Sequence, residues 1–131
     1  MLLMLVLTHA DDCRAQRSTK DRIEGTWKGT SLCQVKSSPC KDEIAIYHIS
    51  RAANGEIYTM QMNKIVNGVE EEMGASEGVY NETKHTLTTI TTDRQGRAAV
   101  WLFKIEGRQM HGTLTIDDKT LYRVIEVRKV D

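Results

Sequence analysis

Two Asn-Gly pairs, Asn54-Gly55 and Asn67-Gly68, bracket one extended run at residues 56–66, and few folds accommodate that arrangement. A two-residue type I′ turn needs positive φ at both central positions, which asparagine and glycine tolerate better than other residues. Two such turns around one run predict a β-meander, with the runs at 43–51 and 69–80 on either side of it. The same texture continues along the chain. Segments rich in Ile, Val, Thr, Tyr and Met are expected as strands at 25–35, 43–51, 56–66, 69–80 (broken at Gly74), 85–92, 98–105, 110–116 and 121–130. From Glu24 onward there is no apolar recurrence at helical spacing and no capped helix start.

The separators Asp93-Arg94-Gln95-Gly96, Glu106-Gly107-Arg108 and Asp117-Asp118-Lys119 are short, so sequential neighbours should pair antiparallel. Strands in such a series either stack as a sandwich or close into a barrel. A sandwich usually needs Greek-key crossovers with a long connection, and none is visible. The expected fold is therefore all-β: an eight-stranded antiparallel up-and-down barrel over 24–131. Its interior would be just filled or hold one small ligand.

Ahead of that domain, Met1-Leu2-Leu3-Met4-Leu5-Val6-Leu7 has the length of a short signal-peptide hydrophobic region and is far too short to span a bilayer. Residues 1–15 are read as a signal peptide or fragment of one, although the usual positive leader is missing, and 16–23 as a polar linker. Cys13 would be lost with the leader. Cys33 and Cys40 flank a loop-like segment holding the single proline, and two strand-end cysteines across one hairpin can reach disulfide distance. Export to a secreted or periplasmic location would supply the oxidising conditions. Free thiols are the competing reading; a metal site is not expected, because Cys-x6-Cys is no zinc spacing. The chain carries 18 basic and 18 acidic residues, so charge draws it neither to nucleic acid nor to an anionic membrane.

The first strand opens with Gly25-Thr26-Trp27 and the last carries Arg123 and Arg128. This resembles the calycin pattern of lipocalins and fatty-acid-binding proteins, in which a Gly-x-Trp lays an indole across the closed end of the barrel under an arginine of the last strand. The resemblance implies structural roles for Trp27 and Arg123. A flat apolar ring closes the floor, and a guanidinium on its face gains cation–π attraction while donating to loop carbonyls. The likeness is one of a minimal lipocalin-like barrel. The long first loop and C-terminal helix of lipocalins are absent, and Arg94 stands where their Thr-Asp-Tyr motif has tyrosine. The helix pair and Arg-x-Tyr of fatty-acid-binding proteins, and the pocket tryptophans of avidins, are absent too. The ligand class therefore does not carry over.

Candidate ligand-binding residues follow from period-two alternation. Tyr58, Met60 and Met62 share one face, opposite Thr59, Gln61 and Asn63, and a methionine wall suits a loosely shaped apolar ligand or ordinary core filling. Trp101 and Phe103 share a face with Ile105. His48 alternates with Ile44 and Ile46 and is expected inward, where a lone histidine could hold haem iron; His111 alternates with threonines and is expected outward. Lys41-Asp42-Glu43 reads as a solvated strand end, or as a partner-contact loop or site mouth beside Pro39. Glu70-Glu71-Glu72 reads as an edge-protecting run, with calcium binding a remote alternative because no loop converges the carboxylates. Asn81-Glu82-Thr83 is a glycosylation sequon, meaningful only in a secreting eukaryote. No nucleophile elbow, phosphate loop or zinc-protease helix is present, and no cofactor is expected. The leading expectation is an exported barrel binding a small apolar molecule. A protein-interaction or inhibitor module using the Cys33–Cys40 loop stays open. So does a small barrel enzyme, were Glu43 and His48 to converge.

Overall fold

The computed structural model describes residues 22–37, 39–52, 55–117 and 119–131; the expected leader, Cys13, most of the expected linker, Asn54 and Asp118 lie outside these. The strands are β1 (Gly25–Cys33), β2 (Glu43–Arg51), β3 (Ile57–Val66), β4 (Val69–Asn81), β5 (Thr86–Thr92), β6 (Ala98–Glu106), β7 (Gln109–Ile116) and β8 (Thr120–Lys129). Each pairs antiparallel with its sequence neighbours, and β1 pairs with β8, so the sheet closes into an up-and-down barrel. The described residues contain no α-helix, and so none long and apolar enough to cross a membrane. Asn67 and Gly68 both have positive φ, 51° and 78°, as the predicted hairpin turn requires.

Strand alternation decides what lies inside. On β2 the buried residues are Ala45, Tyr47 and Ile49, and on β6 they are Ala99, Phe103 and Ile105. Around Trp27 the interior is packed solid with Ile23, Met60, Phe103, Met110 and Ile125, and the Tyr47 and Phe103 rings meet edge to face at 5.9 Å. The Trp27 indole is fully buried and donates from Nε1 to the Ile23 carbonyl at 2.9 Å. Ile23, expected at the end of a polar linker, is thus part of the core.

Arg123 is not the residue over that indole. Trp27 pairs with Lys129 and Cys33 with Arg123, and the guanidinium bonds to Ser31, four positions along β1 from the indole and about 13 Å away at strand rise. Arg128 pairs with Lys28 and is exposed. The closure register of β8 on β1 sets this, and no local signal in β8 reports it.

Gly74 does not break the fourth strand. Gln61 pairs with Ala75 and Asn63 with Glu72, so β4 carries one extra residue as a bulge beside Gly74, whose φ is 133°. Past the bulge β4 leaves its other neighbour. The β4–β5 ladder has only the pairs Val79–Thr88, Tyr80–Leu87 and Asn81–Thr86, whereas β5 pairs with β6 over its whole length. A seam therefore opens between residues 73–76 and 91–92, bridged lower down by the Thr89 hydroxyl donating to the Glu77 carbonyl at 2.8 Å.

Two predictions arise here. A Cβ on Gly29 would lie 1.9 Å from the Glu126 carbonyl oxygen, so Gly29→Ala must push β1 from β8 and should cost about 2–3 kcal/mol in urea unfolding. The second concerns acid. The Asp93 carboxylate accepts from the amides of Arg97 and Gln95, and the Asp131 carboxylate from the amide of Thr26; these bonds hold both below the usual carboxylate range. A folded pKa below the unfolded one gives stability that is complete above the ordinary carboxylate value and lost as pH falls through the depressed one. The urea midpoint should fall on acidification to pH 3, and less steeply in the Asp93→Asn, Asp131→Asn double variant.

Candidate functional site

At the end of the barrel remote from Trp27 the interior is not filled. A cavity of about 320 Å³ lies there, bounded by Ser31 of β1, Glu43, Ala45 and Tyr47 of β2, Met62 of β3 and Trp101 of β6. Asn63 of β3 also borders it, and the rest of its wall is the β4 stretch from Met73 to Ser76 with Thr91 and Thr92 of β5, so it abuts the seam. The residues that would have plugged this end are small: Ser31, Ala45 and Ser76 occupy inward positions where the other end has Trp27, Ile49 and Tyr58. Side-chain size thus divides one continuous barrel into a packed half and a hollow half.

Trp101 is half-buried, nearly parallel to Phe103 at 6.4 Å between ring centroids, and its Nε1 donates to the Thr91 hydroxyl at 3.1 Å. That bond fixes the indole across the cavity wall.

The polar side of the cavity is organised by Arg123, which is almost wholly buried. Its Nη1 donates to the carbonyls of Ser31 at 3.1 Å and Lys41 at 3.0 Å, and its Nη2 to Glu43 Oε1 at 3.3 Å. Cys33 and Cys40 stand at disulfide distance with Cα atoms 5.8 Å apart, and the Cys33 amide donates to Asp42 at 2.8 Å. The crosslinked loop and the arginine together fix where β2 begins, and hence where Glu43 points. Burial first, and the Glu43 carboxylate second, push the Tyr47 hydroxyl well above the usual phenol range, against the opposing pull of Arg123 and Ser31. Tyr47 is therefore a neutral hydroxyl at any physiological pH. On the β4 wall, the Ser76 hydroxyl is buried without a hydrogen-bond partner among the described residues.

Of the residues singled out from the sequence, Met62 and Trp101 line this cavity. Tyr58, Met60 and Phe103 point inward but lie in the packed half. His48 faces outward, against expectation: the inward set on β2 is Ala45, Tyr47 and Ile49, and Ile44 and Ile46 share the outer face with His48. An apolar pair on the outer face misled the alternation argument, and the route to haem through an interior His48 goes with it. On that outer wall His48 Nε2 meets Glu70 Oε2 at 2.7 Å, and Asn63 Nδ2 donates to the same oxygen at 2.8 Å. Glu43 and His48 lie on opposite faces of β2 and do not converge. Glu43 itself, expected as part of a solvated strand end with a site mouth as the alternative, lines the cavity. Its alternation with Ala45, Tyr47 and Ile49 was the available signal. His111 is exposed and bonded to Glu126.

No protein-family model and no curated protein matches the chain. Among solved structures, a mutant of the fluorescent protein UnaG is similar, with a TM-score of 0.53 and 16% identity over 85% of this chain and 98% of that one. At that identity the likeness bears on fold alone, and together with the closed eight-strand sheet it makes this a calycin-like small β-barrel.

Proposed function

With a calycin-like barrel as the premise, we propose that the protein binds a small, mainly apolar molecule in the cavity between Tyr47, Met62 and Trp101. The observation that carries this is the cavity itself. Closed barrels of eight strands are commonly just filled by their side chains, and about 320 Å³ left open beside an indole is room for a ligand of one or two rings. The methionines Met62 and Met73 on its walls adapt to different shapes at little cost, which fits a carrier or sequestering role. The seam between β4 and β5 gives a route in, since only three residue pairs hold those strands together. An oxidising compartment, secreted or periplasmic, is part of the proposal, supported by the Cys33–Cys40 pair.

The test is titration with the uncharged fluorescent probe N-phenyl-1-naphthylamine. Saturable binding is expected, and Ala45→Phe, which projects a ring into the cavity from the middle of β2, should weaken it at least about tenfold. Retention of the strand signature in circular dichroism shows that the variant still folds. Undiminished binding by folded Ala45→Phe would place the probe elsewhere and remove the proposal.

A further inference from the structure

We infer that the cavity is built for a cationic ligand, an organic amine whose ammonium group meets Glu43 while its apolar body lies against Trp101. The inference rests on the small-molecule reading above and narrows it to a chemical class.

Among the described residues lining the cavity, the ionisable side chains are Glu43 and Tyr47, and Tyr47 is held neutral. No lysine or arginine among the described residues lines it. Arg123 is not among the lining residues, and its Nη1 is engaged by the Ser31 and Lys41 carbonyls and the Ser31 hydroxyl. Its bond to Glu43 uses Oε1 and leaves Oε2 for a further donor. The ion pair is neutral as a unit but presents its negative end to the cavity. An incoming carboxylate would meet the Glu43 carboxylate before it reached the guanidinium; an incoming ammonium would meet an acceptor already oriented. At short range that ordering decides the sign of the interaction.

One further feature calls for a polar ligand group of any charge, and a second favours a cation. The buried Ser76 hydroxyl lacks a partner among the described residues and lies on the cavity wall, so a ligand hydrogen-bonding group is what it awaits. The Trp101 indole, fixed by its bond to Thr91, offers a ring face, and indole is the side chain that attracts cations most strongly.

Three indoles of nearly equal size test this: tryptamine, 3-ethylindole and indole-3-propionate, which carry a positive, no and a negative charge at pH 7. In isothermal titration calorimetry at low salt, tryptamine should bind tightest and indole-3-propionate weakest, with roughly tenfold or more between the two. Raising the salt should narrow that ratio. Glu43→Gln should collapse or invert it, because the Arg123 charge is then uncompensated. Equal or tighter binding of indole-3-propionate by the unmutated protein overturns the amine assignment while leaving the small-molecule reading intact. So does a ratio that Glu43→Gln does not change, or binding of the naphthylamine probe without any of the indoles. If the naphthylamine probe fails as well, it is the binding function itself that falls.

Discussion

Trp27→Ala should lower the free energy of unfolding by about 3–5 kcal/mol, measured by urea denaturation against the unmutated protein. The indole is fully buried at the centre of the packed half, in one cluster with Ile23, Met60, Phe103, Met110 and Ile125. Removing it deletes the largest side chain of that cluster, leaves a cavity rigid strands cannot close, and strands the Ile23 carbonyl that accepts from Nε1 at 2.9 Å. Domains of this size typically have about 5–15 kcal/mol to lose, so a large share of the variant molecules should open at modest denaturant. Trp27→Phe separates the two contributions, since it keeps most of the apolar contact and gives up the hydrogen bond. It should cost clearly less. A loss under about 1 kcal/mol for Trp27→Ala would mean that the closed end does not hold the barrel together.

Arg123→Ala is the second large effect, expected near 3 kcal/mol. Its origin is different. The substitution leaves a half-buried Glu43 without its counter-ion at the edge of the cavity, and it removes the donor to the Ser31 and Lys41 carbonyls. The cost comes from groups left unsatisfied, and a net attraction between the charges contributes little. A double-mutant cycle checks this directly. Arg123→Met combined with Glu43→Gln should be less destabilising than the sum of the two single changes, by about 1–2 kcal/mol. Additive losses would show that the pair is energetically uncoupled despite the 3.3 Å separation.

How far these features were legible in the sequence differs from element to element. The turn at Asn67-Gly68 was, because its positive φ angles are a local demand that two residues meet on their own. So was the Cys33–Cys40 pairing, since seven residues of separation across one hairpin bring the two ends together. The inward face of β6 was legible in Phe103 and Ile105. The outward turn of His48 was not, because β2 has apolar residues on both faces: Ile44 and Ile46 outside, Ala45, Tyr47 and Ile49 inside. Composition cannot tell such faces apart, and a one-residue error inverts them all. The bulge at Gly74 was read as a break because the glycine and the exposed Glu70-Glu71-Glu72 run both weaken a strand signal, while the pairing with β3 that continues past them is a property of two strands.

What the amino-acid order determined by itself is the number of strands and their antiparallel succession; the indole of the packed half came from the resemblance carried by Gly25-Thr26-Trp27. Strand count and succession follow from contacts between neighbours in the chain: short connections, down to two residues at Asn67-Gly68, and alternation along one strand. What only the tertiary structure decided is where the two ends of the sheet meet and where β4 leaves β5. The closure register puts Arg123 beside Ser31 and Glu43 instead of over Trp27, and the parting of strands opens the cavity under Trp101. Both join residues that the sequence holds far apart, and their positions depend on the sum of all the pairings around the barrel, which no single segment encodes.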